Sequence, residues 1–203
     1  TGVKNTKYSF DNVTWNIYSA PFTVNTEGTT TVYYKSVDKA GNVEPTKTKV
    51  VKIDKTAPLT NISLGGTLGS DGWYVSDVTV TLTAADNNVV AATQYSFDGT
   101  NWNLYSGPFT ISSGPETTVY YRSTDEAGNV EAAKSSLVKI DKNPPTTSIS
   151  LAGTLGNNGW YRSDVTVTLS AVDNEGGLGE GATQYSFDNA TWNIYSAPLA
   201  TNT

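Results

Sequence analysis

The chain has no cysteine, no methionine and no histidine in its 203 residues. Without thiols or imidazoles it can hold neither a disulfide framework nor a zinc site of the Cys/His type, and Cys/His and Ser-His-Asp catalysis are excluded with them. Stability must come from packing. A surface free of oxidisable sulfur suits an extracellular life and is also compatible with a cytosolic one. Charge is sparse as well: Asp, Glu, Lys and Arg make up 16% of the chain, and the acidic excess gives a formal net charge of -6. The Lys and Arg residues form no cluster, so nucleic acid is not an expected partner. No apolar run approaches the roughly eighteen residues that a membrane-spanning helix requires, and no charged-then-apolar signal segment opens the sequence.

What the chain does have is repetition. "YSFDNVTWNIYSAPF" from Tyr8 returns as "YSFDGTNWNLYSGPF" from Tyr95 and as "YSFDNATWNIYSAPL" from Tyr185. Tyr8 to Tyr95, Tyr33 to Tyr120 and Asp54 to Asp141 are each 87 residues apart, and a period held over three landmarks marks a structural repeat. From Asp173 to Tyr185 is 12 residues where Asp86 to Tyr95 is 9. The extra three lie in "NEGGLGEG", the signature of a surface loop. Division at the two "KID" runs gives one complete repeat, residues 54–140. Residues 1–53 correspond to the C-terminal part of a repeat and residues 141–203 to the N-terminal part of another. Each partial unit is expected to be completed by other polypeptide, through a longer covalent array or by strand complementation, with the array preferred.

Within the complete repeat, "DVTVTLTAAD" places Val78, Val80, Leu82 and Ala84 on one face and Asp77, Thr79, Thr81 and Thr83 on the other. That period of two predicts a half-buried strand. "TTVYYRSTD" and "SSLVKID" are rich in β-formers, "NISL" alternates Ile62 with Leu64, and "LGGTLGSDG", "DGTN", "SGP" and "DEAGN" supply turns between them. No amphipathic helix is evident. Many short strands in under ninety residues predict an all-β chain of tandem immunoglobulin-like β-sandwich repeats. The aromatic stretch reads as a hairpin turning at Asp98-Gly99, with Tyr95 and Phe97 on one face of the first strand and Trp102 and Leu104 opening the second. Its rings are expected to build core and hairpin surface. The alternative is that Trp102 and Tyr105, with the Trp73-Tyr74 pair, stack on sugar rings.

In that order, "DKTAP", "GWYxSDVTVTL", "YSFDGxxWxxYSxPF" and "VYYRSxDxAGNVE" resemble the Ig-like tandem repeats of bacterial and archaeal cell-surface proteins, modules also appended to secreted glycoside hydrolases. The resemblance covers residues 54–140 and both partial units. It implies an extracellular or cell-surface location, no catalysis and no catalytic residue, with neighbouring repeats of the same or another chain as partners and surface glycans as a second class of partner.

Acidic residues supply the remaining chemistry. Asp54 and Asp141 at the repeat junctions, with Asp86 and Asp173 at the end of the long strand, read first as solvated or capping carboxylates and second as calcium ligands, and no cofactor other than calcium is expected. The "DEAGN" turn from Asp125 and its copy "DKAGN" from Asp38 read first as turns opened by Asp and closed by Gly, and second as sources of calcium ligands. Three sequons, at Asn12, Asn61 and Asn189, are candidate glycosylation sites or chance occurrences in a Thr-, Ser- and Asn-rich chain. Two function classes follow: a non-catalytic spacer, adhesive or polymerising module of a surface stalk or filament, and a carbohydrate-binding accessory module of a secreted glycoside hydrolase.

Overall fold

A computed structural model describes residues 2–173 and 183–201. The loop insertion "NEGGLGEG" lies outside the described residues. Strands β1 (Val3–Ser9), β2 (Asn16–Ile17), β3 (Gly28–Asp38) and β4 (Lys47–Ile53) form one sheet in the order β2-β1-β3-β4. The next stretch supplies β5 (Leu59–Gly65), β6 (Trp73–Tyr74), β7 (Val78–Ala85), β8 (Val90–Ser96), β9 (Asn103–Leu104), β10 (Phe109–Ile111), β11 (Glu116–Asp125) and β12 (Lys134–Ile140). These make a three-stranded sheet, β10-β7-β5, and a five-stranded sheet, β6-β12-β11-β8-β9, in which β6 joins β12 in parallel. Residues 141–201 contribute β13 (Thr146–Ala152), β14 (Val165–Val172) and β17 (Leu199–Thr201) to a fourth sheet, with β15 (Gln184–Tyr185) and β16 (Asn193–Ile194) pairing as a hairpin. Among the described residues the only helical element is the single 3-10 turn Asn157–Gly159. No helix there is long and apolar enough to cross a membrane.

The alternation in "DVTVTLTAAD" acts as its period requires. On β7, Val78, Val80 and Leu82 are buried while Thr79 and Thr83 face solvent. On β11 the buried positions are Val119, Tyr121, Ser123 and Asp125, again every second residue. Two polar ties hold the faces of β5 and β11 together. Thr60 Oγ1 and Ser123 Oγ lie 2.7 Å apart, and the Glu131 carboxylate accepts from both the Thr60 and the Ser123 backbone N–H groups at 3.0 and 3.2 Å. Around Thr60 and Ser123 the two sheets thus stack as the layers of a β-sandwich.

The described residues of Thr1–Leu64, Val80–Phe109 and Thr118–Leu137 make one compact unit, and those of Gly65–Thr79, Thr110–Thr117 and Val138–Thr203 the other. The first encloses Val80, Leu82, Val119 and Tyr121, with the buried polar groups Thr60, Ser96, Ser123 and Glu131. The second encloses Val78, Ile111, Val138 and Ile140.

The hairpin rings are not this core, which corrects one expectation. Phe97 is 49% exposed and Tyr95 half-buried, while the fully buried residue between them is Ser96. Because neighbours on a strand point to opposite faces, the inward position falls to a serine. Its hydroxyl donates to Asp98 Oδ1 at 2.8 Å and accepts from the Gly99 N–H at 3.0 Å. Tyr95 instead stacks on Phe109 at 4.3 Å, with Phe97 edge-on to both, as a satellite cluster on the outer face. The first repeat copies it with Tyr8, Phe10 and Phe22.

Candidate functional site

The residues singled out by the sequence fall into three groups. The first is the hairpin tip. In all three copies an aspartate closes an Asx turn: Asp11 Oδ1 accepts from Val13 and Thr14, Asp98 Oδ1 from Thr100 and Asn101, and Asp188 Oδ1 from Ala190 and Thr191. These backbone N–H groups, with the adjacent serine hydroxyl, hold each carboxyl well below the ordinary aspartate range. The next position has a positive φ in each copy, 59° at Asn12, 74° at Gly99 and 57° at Asn189, the region that Gly enters freely and Asn or Asp more readily than other residues. The sequon residues Asn12 and Asn189 therefore stand exposed at turn tips for a backbone reason. Asn61, on β5, is exposed as well.

The second group is aromatic. Trp102 and Tyr105 belong to the first compact unit, Trp73 and Tyr74 to the second, and all four are half-buried. The guanidinium of Arg122 lies over the Trp102 ring, 4.0 Å from its centroid, and Lys35 does the same to Trp15 at 3.7 Å in the preceding copy. These cation–π contacts occupy one face of each indole. Lys139 lies 5.5 Å from the Trp73 ring centroid. Tyr105 has a structural job, since its hydroxyl accepts the Leu82 backbone N–H at 3.0 Å.

The third group is acidic. Asp54 follows β4, Asp86 follows β7 and Asp125 ends β11, and one carboxylate oxygen from each lies within 4.8 Å of the others. The sequence groups Asp54 and Asp86 with Asp141 and Asp173 and reads Asp125 first as a turn residue; in the structure Asp125 closes the turn and also lies beside Asp54 and Asp86. Its Oδ1 accepts from Gly128 and Asn129, its Oδ2 from the Asn129 side chain, and Asn129 also donates to the Asp54 carbonyl oxygen. Burial raises the Asp125 carboxyl, but these bonds, led by the Asn129 side chain, outweigh it and hold the group ionised below the usual range. The signal for Asp125 was present in the sequence, in a recurrent "DxAGN" whose aspartate lies in register with a buried strand face. Asp141 and Asp173 line a separate cleft of about 500 Å³ together with Trp73 and Pro144.

The links between repeats are fastened. In residues 54–58 the Lys55 N–H and the Thr56 hydroxyl donate to Glu27, and Lys55 Nζ donates to the Asn25 carbonyl oxygen at 3.0 Å. One period on, Lys142 Nζ donates to the Ser112 carbonyl oxygen at 2.7 Å and pairs with Asp77 at 2.8 Å.

No family model matches the chain, and no curated protein does. Among solved structures it is similar to fibronectin(III)-like modules of Clostridium thermocellum CbhA, at 13% identity and a TM-score of 0.34, over 69% of this chain and 79% of that one. It is also similar to a tetra-tandem repeat from the extending region of a large adhesion protein, at 14% identity and a TM-score of 0.27, over 97% of this chain and 54% of that one.

Proposed function

We propose that the chain is part of a non-catalytic tandem-repeat protein of the cell surface or an extracellular filament, in which each immunoglobulin-like sandwich serves as a semi-rigid spacer or adhesive module. The observation that carries this reading is the tied link. Residues 54–58 and 141–145 pass from one strand to the next through proline, and equivalent lysines one period apart anchor both links to equivalent carbonyl oxygens. Proline restricts the backbone, and a hydrogen bond from the link to the preceding repeat removes further freedom, so the link behaves as a spacer rather than a tether. The sequons Asn12, Asn61 and Asn189 are surface positions open to glycan attachment.

Single-molecule stretching of the chain tests this: a spacer gives discrete force peaks from repeat unfolding, and Lys55→Ala lowers the force at which the link yields. Force curves without repeat-sized steps would overturn the reading. The carbohydrate-binding alternative predicts saturable binding on a glycan array that Trp102→Ala abolishes with the fold intact. The arginine seated on that indole is the observation against it.

A further inference from the structure

We propose that Asp54, Asp86 and Asp125 bind a calcium ion. Two carboxylate oxygens of the cluster, Asp54 Oδ2 and Asp86 Oδ1, are shut off from solvent and have no hydrogen-bond partner. The second oxygen of each carboxylate is in use: Asp54 Oδ1 accepts the Thr56 N–H at 3.1 Å, and Asp86 Oδ2 accepts the Asn88 N–H at 3.0 Å. Each side chain is therefore pinned by one oxygen while the other is buried and bare. An ionised oxygen left so is costly, and three carboxylates brought this close repel one another as well. None of the ion pairs among the described residues involves any of the three, although Lys52 lines the same cleft as Asp54.

The geometry fits a bound ion. Calcium holds its oxygen ligands at about 2.3–2.6 Å, so any two ligands lie within about 5 Å of each other. The three oxygens here lie within 4.8 Å. The donors are all oxygen, which favours a hard cation and disfavours zinc or copper. Access is available too, because Asp54 lines a cleft of about 790 Å³ with Asn87, Asn88, Glu126 and Thr29. Backbone and side-chain oxygens of that cleft, with water, can fill the six to eight positions calcium takes. Thr29 stands on β3 and Glu126 follows β11, so a cation there would stiffen a cleft to which two successive repeats contribute.

Calorimetric titration of calcium into the whole chain, stripped with EDTA, tests the site independently of the spacer reading. Saturable binding is expected, with the thermal midpoint rising in millimolar calcium relative to EDTA. Asp86→Asn preserves the Asx-turn acceptor but removes a charged ligand, and should weaken binding at least about tenfold. In EDTA the same variant should melt above the wild type, because one repelling charge is gone, whereas a purely structural aspartate would give the opposite sign. Asp71→Asn, outside the cluster, should bind as the wild type does. Absence of both heat and a calcium-dependent midpoint in the wild type would overturn the proposal, as would equal binding by Asp86→Asn. The wild-type comparison decides alone if that variant fails to fold.

Discussion

The 2–53 segment and its counterpart 89–140, the C-terminal part of the central repeat, carry similar strands on similar sequence, yet they bury them differently. Val119 on β11 is fully buried and Tyr121 is 7% exposed; their counterparts on β3 are Val32, half-buried, and Tyr34, 37% exposed. Val138 and Ile140 are buried where Val51 and Ile53 are half-buried. The β13-β14-β17 sheet repeats the lesson from the other side, since Val165, Val167 and Leu169 of β14 are half-buried where Val78, Val80 and Leu82 of β7 are buried. What differs is the second layer. In the central repeat β5 packs on β11 through Thr60 and Ser123, and among the described residues no such layer covers the face of β3. A strand of given sequence reaches its full hydrophobic stabilisation only against a partner sheet.

The comparison breaks most visibly at a leucine. Leu82→Ala should cost about 2–5 kcal/mol, the range for a buried leucine that leaves a cavity, while Leu169→Ala at the matching place on β14 should cost about half as much or less. Urea denaturation of both variants checks this, and equal losses would mean that the two sheets are equally covered in solution.

A smaller contrast is expected at a glutamate. Glu131 accepts from Thr60 on β5 as well as Ser123 on β11, whereas Glu44, one period earlier, accepts from Ser36 alone among the backbone donors. Burial raises the Glu131 carboxyl, but Lys134 and the Thr60 donors pull it down further, and the net effect lies below the usual glutamate value. Glu131→Ala leaves two buried N–H groups unpaired and should cost about 1–3 kcal/mol. Glu44→Ala, at a more open site, should cost clearly less than Glu131→Ala. The lowered carboxyl also sets a pH dependence. Its stabilisation is complete above the ordinary glutamate range and is lost as the pH falls through the lower folded-state value. Acid titration of stability should therefore be flatter in Glu131→Gln than in the wild type.

The smallest effect sharpens the likeness rather than the contrast. Gly99, at φ 74°, occupies the place of Asn12 and Asn189, and a Cβ there would meet only the Tyr120 ring at 3.6 Å, an ordinary contact. Gly99→Asn should change stability by less than about 1 kcal/mol, while Gly99→Val should cost roughly 1–2 kcal/mol because a β-branched residue resists a positive φ. Thermal melts of the pair would show whether the three tips share one backbone.

Much of this protein is written in its local pattern. The period of two in "DVTVTLTAAD" settles which face of β7 turns inward, because neighbouring side chains on a strand must point oppositely. Asp-Gly and Asp-Asn settle the hairpin turns, since few other pairs combine an amide-capping carboxylate with a positive φ. Local pattern could not say which of several inward faces would find a partner, so Val32 and Val119 look alike in sequence and differ in burial. Nor could it place the aromatic hairpin, whose rings look like core by type but give the inward position to Ser96. The acidic cluster is the clearest case of a tertiary decision. Asp54, Asp86 and Asp125 are separated by 32 and 39 residues, and only the folding of β7 and β11 beside the link brings their oxygens within 4.8 Å of one another. Spacing along a chain carries periodicity within an element, but convergence between elements is a property of packing.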